Sequence, residues 1–305
     1  MPTMRSAEYD ARFRAAAFAW LSTRSDDGAP MVTREELLSF CFEGERIPLI
    51  DHNRGIRRPK VLRGAVSLLT TYRPSPQAAP YEDAFGEDGL LRYKYRSTDP
   101  QQADNRAVRG SMEDRLPMIW FYGIAQSQYL AIFPVYAVAE EATGHQFVVS
   151  TDVPVESIAQ APPSVLEREY RAVQTYRRVH QPVFRARVMH AYERRCAMCR
   201  LAHPSLLDAA HIRRDKHPMG IPAVSNGMAL CKIHHAAYDQ DILGVRPDLK
   251  VEVRLDILHE VDGPMLRHGL QEMAGVRLEV PRSRVQRPDP SAIEERYTQF
   301  TAANR

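Results

Sequence analysis

The stretch that decides the fold reads CAMC at 196–199, LLDAAHI at 206–212 and SNGMALCKIHHAAYD at 225–239. Three of the chain's four cysteines lie in it, and a histidine follows the last of them at the spacing that separates the first two. The two hooks, C-x2-C and C-x2-H, together offer the four ligands that a closed tetrahedral zinc site needs. The sequence therefore predicts a structural Zn²⁺ bound by Cys196, Cys199, Cys231 and His234.

A second set of polar residues lies between and after the hooks. His211 ends a short apolar run that reads as a strand, and Asn226 lies in a turn-like S-N-G. His235 stands near the start of a predicted helix, and Asp239 follows it by four residues, so their side chains share one helical face. A histidine on a strand opposite two ligands on a helix predicts a site for one hard divalent cation.

The order His211, Asn226, His235, with hooks before and inside it, resembles the HNH nucleases of the ββα-metal class over roughly residues 190–245. The resemblance implies that His211 is the general base for phosphodiester hydrolysis, a task that suits a group titrating near neutrality. It also implies that Asn226 pins the loop between strand and helix. His235 and Asp239 would hold the catalytic metal, Mg²⁺ or Mn²⁺.

The chain departs from this pattern immediately before the general base. Many HNH nucleases have a further metal ligand there, and this sequence has Ala210. Asp208 lies on the same predicted strand face and is the expected substitute. An alternative reading is a zinc-stapled DNA-binding module that has lost catalysis.

Length and charge bound the remaining possibilities. With 305 residues the chain is long enough for two domains, and its net charge is only +3. It has no apolar run approaching the roughly 18 residues of a membrane helix, and its cysteines fit metal better than disulfides. We therefore expect a cytoplasmic bacterial protein with no membrane partner. A basic belt between Arg168 and Lys216, which includes Arg213 and Arg214, predicts contact with DNA phosphates near His211.

The first half of the chain reads as helices followed by strands. Helical spacing predicts an amphipathic helix at 7–22, and Thr33 with Glu36 predicts a capping box that opens a second helix. Cys41 is expected to be a buried thiol. From residue 52 onward the pattern is β-rich, and we expect strands at 65–72, 90–95, 118–124, 129–138 and 146–149.

The segment from about 50 to 125 carries a second resemblance. GIRRPKV at 55–61, YEDAFGEDGLLRY at 81–93 and DNRAV at 104–108 are similar in order to SRA domains, PUA-like barrels that flip a modified cytosine out of duplex DNA. The resemblance implies that Tyr81 and Tyr93 stack on the extruded base. The aspartate that usually reads the base edge falls on Ala84, so that Asp83 or Asp88 would have to replace it.

By the same resemblance, two loops approach the DNA grooves. Their candidate contact residues are Arg57, Arg58, Asn105 and Arg106.

Proline content and the periodicity of apolar residues predict the domain boundaries. Residues 153–163 read as a linker between an SRA/PUA-like domain at 1–152 and an HNH domain with a C-terminal extension at 164–305. In the second domain we expect helices at 165–179, 182–192 and 293–300 and a strand at 249–255. The fold class is therefore α+β: a β-barrel with flanking helices, then a zinc-stapled ββα-metal domain.

A base reader joined to a nuclease predicts a modification-dependent restriction endonuclease. We expect it to cleave double-stranded DNA that carries a 5-modified cytosine, with 5-methylcytosine favoured, and to act as a homodimer because both strands must be cut. Two alternatives remain open: an HNH endonuclease that reads unmodified sequence, and an inactive zinc-containing reader of modified DNA.

Overall fold

The structure is a computed structural model that describes residues 5–24, 30–72, 84–86, 90–151, 179–213 and 223–304. The chain divides into two compact units, Met1–Pro182 and Val183–Arg305. The linker predicted at 153–163 lies outside the described residues, so the predicted boundary stays a prediction. No helix in the described parts of the chain is long and apolar enough to cross a membrane.

The first unit is built on a mixed sheet. Its strands are β1 Met31–Thr33, β2 Cys41–Phe42, β3 Glu45–Arg46, β4 Ile56–Arg57, β5 Ser67–Thr70, β6 Ala84–Phe85, β7 Leu91–Lys94, β8 Met118–Ala125, β9 Gln128–Glu141 and β10 Gln146–Ser150. The order in the large sheet is β4-β5-β8-β9-β10-β7-β6, with β1 paired to β9. The β5–β8 pair is parallel, and β8, β9 and β10 follow one another antiparallel.

The long strand β9 gives this sheet its curvature. Residues 128–135 of β9 pair with β8, whereas 136–141 pair with β10, and register shifts interrupt both ladders. Such irregularities increase local twist, and the sheet curls into a half-barrel. The strands expected from the alternating pattern are present, with bounds shifted by a few residues. That this sheet is an SRA/PUA-like barrel stays a prediction.

Helices α1 (Ala7–Ser22), α2 (Arg34–Ser39) and α3 (Ala103–Glu113) complete this unit. The predicted helix at 7–22 is confirmed, as is the capping box, in which the Thr33 hydroxyl accepts from the Glu36 amide and the Glu36 carboxylate accepts from the Thr33 amide. The expectation of a buried thiol at Cys41 is wrong. Cys41 is exposed, because it lies in the two-stranded β2–β3 hairpin outside the large sheet.

The second unit contains a ββα element. It consists of strands β11 (Leu207–His211) and β12 (Gly227–Cys231) and helix α5 (Lys232–Asp239). Helix α4 (Gln181–Ala191), whose first two residues belong to the first unit, precedes it in the chain. The two strands pair antiparallel from Leu207 opposite Cys231 to His211 opposite Gly227. The predicted helix at 182–192 is confirmed as α4, whereas nearly all of the one predicted at 165–179 lies outside the described residues.

The C-terminal extension adds a small hairpin and three helices. These are β13 (Leu243–Val245), β14 (Val251–Val253), α6 (Leu255–His259), α7 (Pro264–Gly269) and α8 (Pro290–Ala303). The strand predicted at 249–255 is shorter than expected. Leu249 has φ +64° in the turn before β14, and Leu255 begins α6 and is exposed. The predicted late helix is confirmed as part of α8.

Two glycines allow helices to approach the strands of this unit closely. A Cβ on Gly227 would lie 2.6 Å from a Val188 methyl and 2.7 Å from the Phe184 ring, so α4 packs directly on β12. A Cβ on Gly244 would lie 2.6 Å from the Phe300 ring, so α8 packs on β13 in the same way. These contacts enclose the fully buried β12 and bring α4 against the end of β11.

Candidate metal centre and nuclease site

The four residues of the two hooks converge on one point. One ligand atom from each of Cys196, Cys199, Cys231 and His234 lies within 4.8 Å of the others, and the Cys196 Sγ is 3.3 Å from the His234 Nδ1. In a tetrahedral site with bonds of about 2.0–2.3 Å, neighbouring ligand atoms are roughly 3.3–3.8 Å apart. Cys196, Cys231 and His234 are buried, and Cys199 is exposed. The chemistry and the spacing of this donor set fit Zn²⁺.

A backbone carbonyl in the C-terminal extension orients the histidine of this cluster. The His234 Nε2 lies 2.8 Å from the carbonyl oxygen of Gly269, the last residue of α7. A carbonyl can only accept, so Nε2 carries a proton, and Nδ1 is the nitrogen that faces the thiols and would bind a metal once it is deprotonated. Metal-binding histidines are commonly held by such a bond through their second nitrogen.

The protonation of the four-residue cluster reflects the short distances between its polar atoms. Hydrogen bonds from Cys199 and Cys231 lower the pKa of Cys196. Burial lowers the pKa of His234, but hydrogen bonds to Cys196 and Cys231 outweigh it and raise that pKa to about 10. A bound cation would compete with these shared protons, since zinc ligands must be deprotonated.

The first hook is fixed by backbone hydrogen bonds. The Cys196 amide donates to the Leu201 carbonyl at 2.9 Å, and the Arg200 amide donates back to the Cys196 carbonyl at 2.9 Å. The Ala197 amide donates to Ala229 of β12 at 2.7 Å, which places the first hook beside the strand that ends in Cys231. The first hook therefore lies along the edge of β12 and is hydrogen-bonded to it.

His235 lies between two carboxylates. Its Nε2 is 3.4 Å from an Asp239 carboxylate oxygen, one turn later on α5, and its Nδ1 is 3.7 Å from an Asp208 oxygen on β11. The side chains of His235 and Asp208 are 26% and 34% exposed, so the group is accessible to solvent. The structure therefore brings Asp208, His235 and Asp239 together, and their binding of a catalytic metal stays a prediction.

The geometry distinguishes the two carboxylates. One imidazole presents a single nitrogen to a given ion, and Asp208 and Asp239 face different nitrogens. Ligand atoms around an octahedral Mg²⁺ are about 3.0 Å apart, for bonds of about 2.1 Å. The Nε2–Asp239 pair is close to that spacing and fits a shared cation. Asp208 instead faces the ring nitrogen that such a cation would leave unused.

His211 is the last residue of β11, and its ring stacks on a phenylalanine. The His211 and Phe184 ring centroids are 4.0 Å apart with an interplanar angle of 12°. Phe184 comes from α4 and is held there by the absence of a side chain on Gly227, directly opposite His211 in the ladder. The stack fixes the plane of the imidazole at the point where the strand ends.

Asn226 holds the chain segment that follows His211. Its side-chain oxygen accepts from the Arg213 amide at 2.9 Å, and its own carbonyl accepts from the Ile212 amide at 3.0 Å. The two residues after His211 are thus tied to the residue before β12. This is the geometry that the predicted pinning role requires, and the role itself stays a prediction.

The arginines predicted to contact DNA differ in their exposure and in their bonds to other residues. The Arg213 guanidinium bonds Glu295 at 2.6 Å and Ser291 at 2.9 Å on α8. Arg57 donates to the Pro48 carbonyl at 2.8 Å, and burial lowers its pKa. Arg58 bonds Asp104, and Arg106 is exposed. Arg214 lies outside the described residues.

Asn105 and Tyr93 are buried, unlike the surface positions expected for them. The Asn105 amide accepts from the Arg96 backbone at 3.1 Å and donates to the Asp99 carbonyl at 2.8 Å. The Tyr93 hydroxyl lies 3.0 Å from the Gly55 carbonyl and 3.2 Å from the Leu69 carbonyl. Both side chains brace the backbone in this structure. Tyr81, Asp83 and Asp88 lie outside the described residues.

Three contributors to the site were missed from sequence. Phe184 read as one more apolar position of a helix, Gly269 acts through its backbone, and Arg296 of α8 bonds both Asp241 and, at 2.7 Å, the Tyr238 carbonyl at the end of α5. The near-complete burial of Arg296 is a tertiary property. The one sequence signal was its charge on the apolar face formed by Ile293 and Phe300.

Three comparisons relate the chain to known proteins. Residues 196–246 match the family model described as HNH endonuclease. No curated protein matches the chain. Among solved structures, the modification-dependent TagI restriction endonuclease aligns with 78% of this chain and 82% of its own, at 16% identity and a TM-score of 0.32. The type IV phosphorothioation-dependent restriction endonuclease ScoMcrA aligns with 57% of this chain and 47% of its own, at 15% identity and a TM-score of 0.22.

The family match covers the zinc hooks, the β11–β12 hairpin and helix α5. Residues 196–246 therefore form an HNH endonuclease domain, and the protein is a metal-dependent DNA endonuclease.

Proposed function

We propose that the protein hydrolyses DNA phosphodiesters with His211 as general base and with one Mg²⁺ or Mn²⁺ held by His235 and Asp239. The observation that carries the proposal is the pairing of His235 with Asp239 at 3.4 Å on a helix that packs against the strand ending in His211. That helix and strand belong to the segment matched by the HNH family model.

Each residue has a distinct task in this proposal. His211 takes the proton of the attacking water, and the Phe184 ring holds its plane so that one nitrogen stays directed at that water. Asn226 holds the strand end. The Asp208 carboxylate, 3.7 Å from the His235 Nδ1, attracts that side of the ring through its charge and thereby orients the metal-binding nitrogen. The divalent cation, when bound, compensates charge on the phosphate and on the leaving oxygen.

Zinc at the four-residue cluster has a structural task. It would join the loop at 196–199 to the start of α5, which follows Cys231 directly and carries both His234 and His235. The zinc ligand and the catalytic ligand are thus adjacent residues, so fixing His234 also limits where His235 can point. This coupling explains why a small ββα element needs a metal staple.

Substitution of His211 tests the catalytic assignment. We expect His211→Ala to reduce the rate of plasmid cleavage with Mn²⁺ by about two to four orders of magnitude, while zinc content and melting temperature stay unchanged. His203→Ala, at an exposed histidine of the same unit, is the matched control and should cleave normally. Equal rates for parent and His211→Ala would rule out His211 as the base. A parent that is inert with every divalent metal would favour the inactive zinc-containing reader.

We further propose that the first unit selects DNA carrying a 5-modified cytosine, with 5-methylcytosine favoured. The support is the sequence resemblance over residues 50–125 and the half-barrel sheet that this segment helps to form. A base stacked on Tyr93 would require its hydroxyl to leave Gly55 and Leu69. Tyr81 and Asp83 are therefore the first residues to substitute in a search for the base pocket.

Digestion of matched plasmids tests whether the protein selects DNA with a 5-modified cytosine. One plasmid carrying cytosine, 5-methylcytosine, 5-hydroxymethylcytosine or N6-methyladenine is digested, and the fragment ends are sequenced. Cleavage confined to the 5-modified cytosine plasmids would support the proposal, and equal cleavage of all four would favour an endonuclease that reads unmodified sequence. We place the enzyme in the bacterial cytoplasm, where thiols stay reduced for metal binding, and we propose that it acts as a homodimer.

A further inference from the structure

Three arginines surround one buried carboxylate in the first unit. Asp104, near the start of α3, bonds Arg58 and Arg96 at 2.6 Å each, and Arg54 lies 3.5 Å from the same carboxylate. The aspartate side chain is 0% exposed, whereas the three arginine side chains are 33–40% exposed. The carboxylate thus forms the floor of the cluster and the guanidinium groups form its outer surface.

The arginine cluster combines three guanidinium groups with a single carboxylate. Among these four side chains, positive charge is therefore in excess. Burial alone would raise the pKa of Asp104, but hydrogen bonds from Arg58 and Arg96 lower it, so the carboxylate stays ionised. Each guanidinium has several N–H donors in a planar fork, and one carboxylate cannot accept from all of them.

The cluster is also rigidly built. Asp104 is set by α3, whose N-terminal cap Gln102 accepts from the Asp104 amide at 2.6 Å. Asn105 bonds the Arg96 amide at 3.1 Å, so that the chain entering the cluster is held next to the helix. The guanidinium groups therefore lose little conformational freedom when they bind a ligand. Such pre-organisation favours binding of a planar or tetrahedral oxyanion.

We propose that Arg54, Arg58 and Arg96 form a phosphate-binding site that holds the backbone of the DNA substrate on the first unit. The inference rests on the proposed function, because that function makes a polyanionic duplex the substrate. Phosphate contacts of this kind fix position and orientation and carry no base information. Asp104 is a positioning residue that arranges the three arginines.

The test measures binding of a fluorescein-labelled 20-base-pair duplex to His211→Ala protein, without added divalent metal, across a salt series. We expect Arg54→Ala, Arg58→Ala and Arg96→Ala each to weaken binding about fivefold and to lower the slope of log K against log salt by about one. Arg12→Ala removes an exposed arginine paired with Glu43 in the same unit and should leave both values near the parent's.

Asp104→Asn distinguishes binding by an organised arginine site from binding by the net positive charge of the protein. The substitution adds one positive charge to the protein, so that long-range attraction alone predicts tighter binding. If the arginines act as an organised site, binding should instead weaken, because the guanidinium groups lose the carboxylate that positions all three of them. Tighter binding by a folded Asp104→Asn protein would overturn the proposal, as would arginine variants that bind like Arg12→Ala. If Asp104→Asn does not fold, the three arginine variants decide.

The outcome is distinguishable from failure of the proposed catalysis. If the arginine variants bind like the parent while only the His211 substitution abolishes cleavage, the phosphate site is wrong and the nuclease assignment stands. If the arginine variants lose affinity but the parent cleaves no DNA with any metal, the catalytic assignment fails and the phosphate site stands.

Discussion

Among single residues, Asp208 has the least obvious role. It lies beside His235, the proposed metal ligand, but faces the ring nitrogen that the proposed metal would not use. We expect Asp208→Asn to reduce cleavage about ten- to a hundredfold, the usual cost of losing the partner that orients a ligand. Raising the Mn²⁺ concentration should recover only part of the rate. Asp248→Asn, at an exposed ion pair in the β13–β14 turn, is the control. A loss as complete as that of His235→Ala would instead make Asp208 a ligand.

The stack of Phe184 on His211 leads to a second prediction for a single side chain. Phe184→Leu removes the ring that fixes the imidazole plane, and we expect the cleavage rate to fall about tenfold or more because the base loses its orientation. Phe300→Leu removes another buried ring of the same unit, over Gly244, and controls for lost stability. Similar rates for the two variants, measured on folded protein, would show that the stack has no catalytic role.

At the scale of elements, the two hooks bring the ends of a loop, a strand and a helix to one cluster that could bind a single zinc ion. We expect Cys199→Ser to remove bound zinc and to lower the melting temperature, and a strong zinc chelator to do the same to the parent. Cys41→Ser is the natural control, because Cys41 is an exposed cysteine far from the cluster in sequence. Zinc content is measured by mass spectrometry of the purified protein. Unchanged zinc in Cys199→Ser would contradict the four-residue site.

Helix α8 supports the C-terminal end of helix α5 through Arg296. This buried guanidinium bonds Asp241 and the Tyr238 carbonyl, and it lies 4.8 Å from the Tyr238 ring centroid. We expect Arg296→Met to destabilise the second unit by about 3 kcal/mol, since it removes a buried guanidinium together with its bonds to Asp241 and the Tyr238 carbonyl. Arg246→Met breaks an exposed pair and should cost less than about 1 kcal/mol. Urea unfolding of both variants measures the difference, and equal costs would mean that α8 adds little support.

These elements also show where sequence reasoning succeeds. The zinc hooks, the capping box at Thr33 and the ββα order are written in spacings of a few residues, and the structure contains each of them. The Gly269 carbonyl and the Arg296 guanidinium reach the site from 35 and 55 residues away. No local pattern encodes such contacts. The same limit explains Tyr93, whose aromatic ring gave no sign that its hydroxyl would bond two backbone carbonyls.

For the whole molecule, the sequence carries one HNH segment per chain, whereas a duplex has two antiparallel strands. A single site oriented on one strand must turn around to cut the other, so we predict that double-strand cleavage requires two protomers related by a two-fold axis. Linear product should then rise more steeply than in proportion to protein concentration. Parent mixed with an excess of His211→Ala protein should accumulate nicked plasmid, because each mixed pair holds one working base.

The control is parent mixed with heat-denatured His211→Ala protein. Sedimentation of the protein on a cleavage-resistant duplex would show two chains per DNA. One chain per duplex, with linear product proportional to protein concentration, would mean that a monomer cuts both strands in turn.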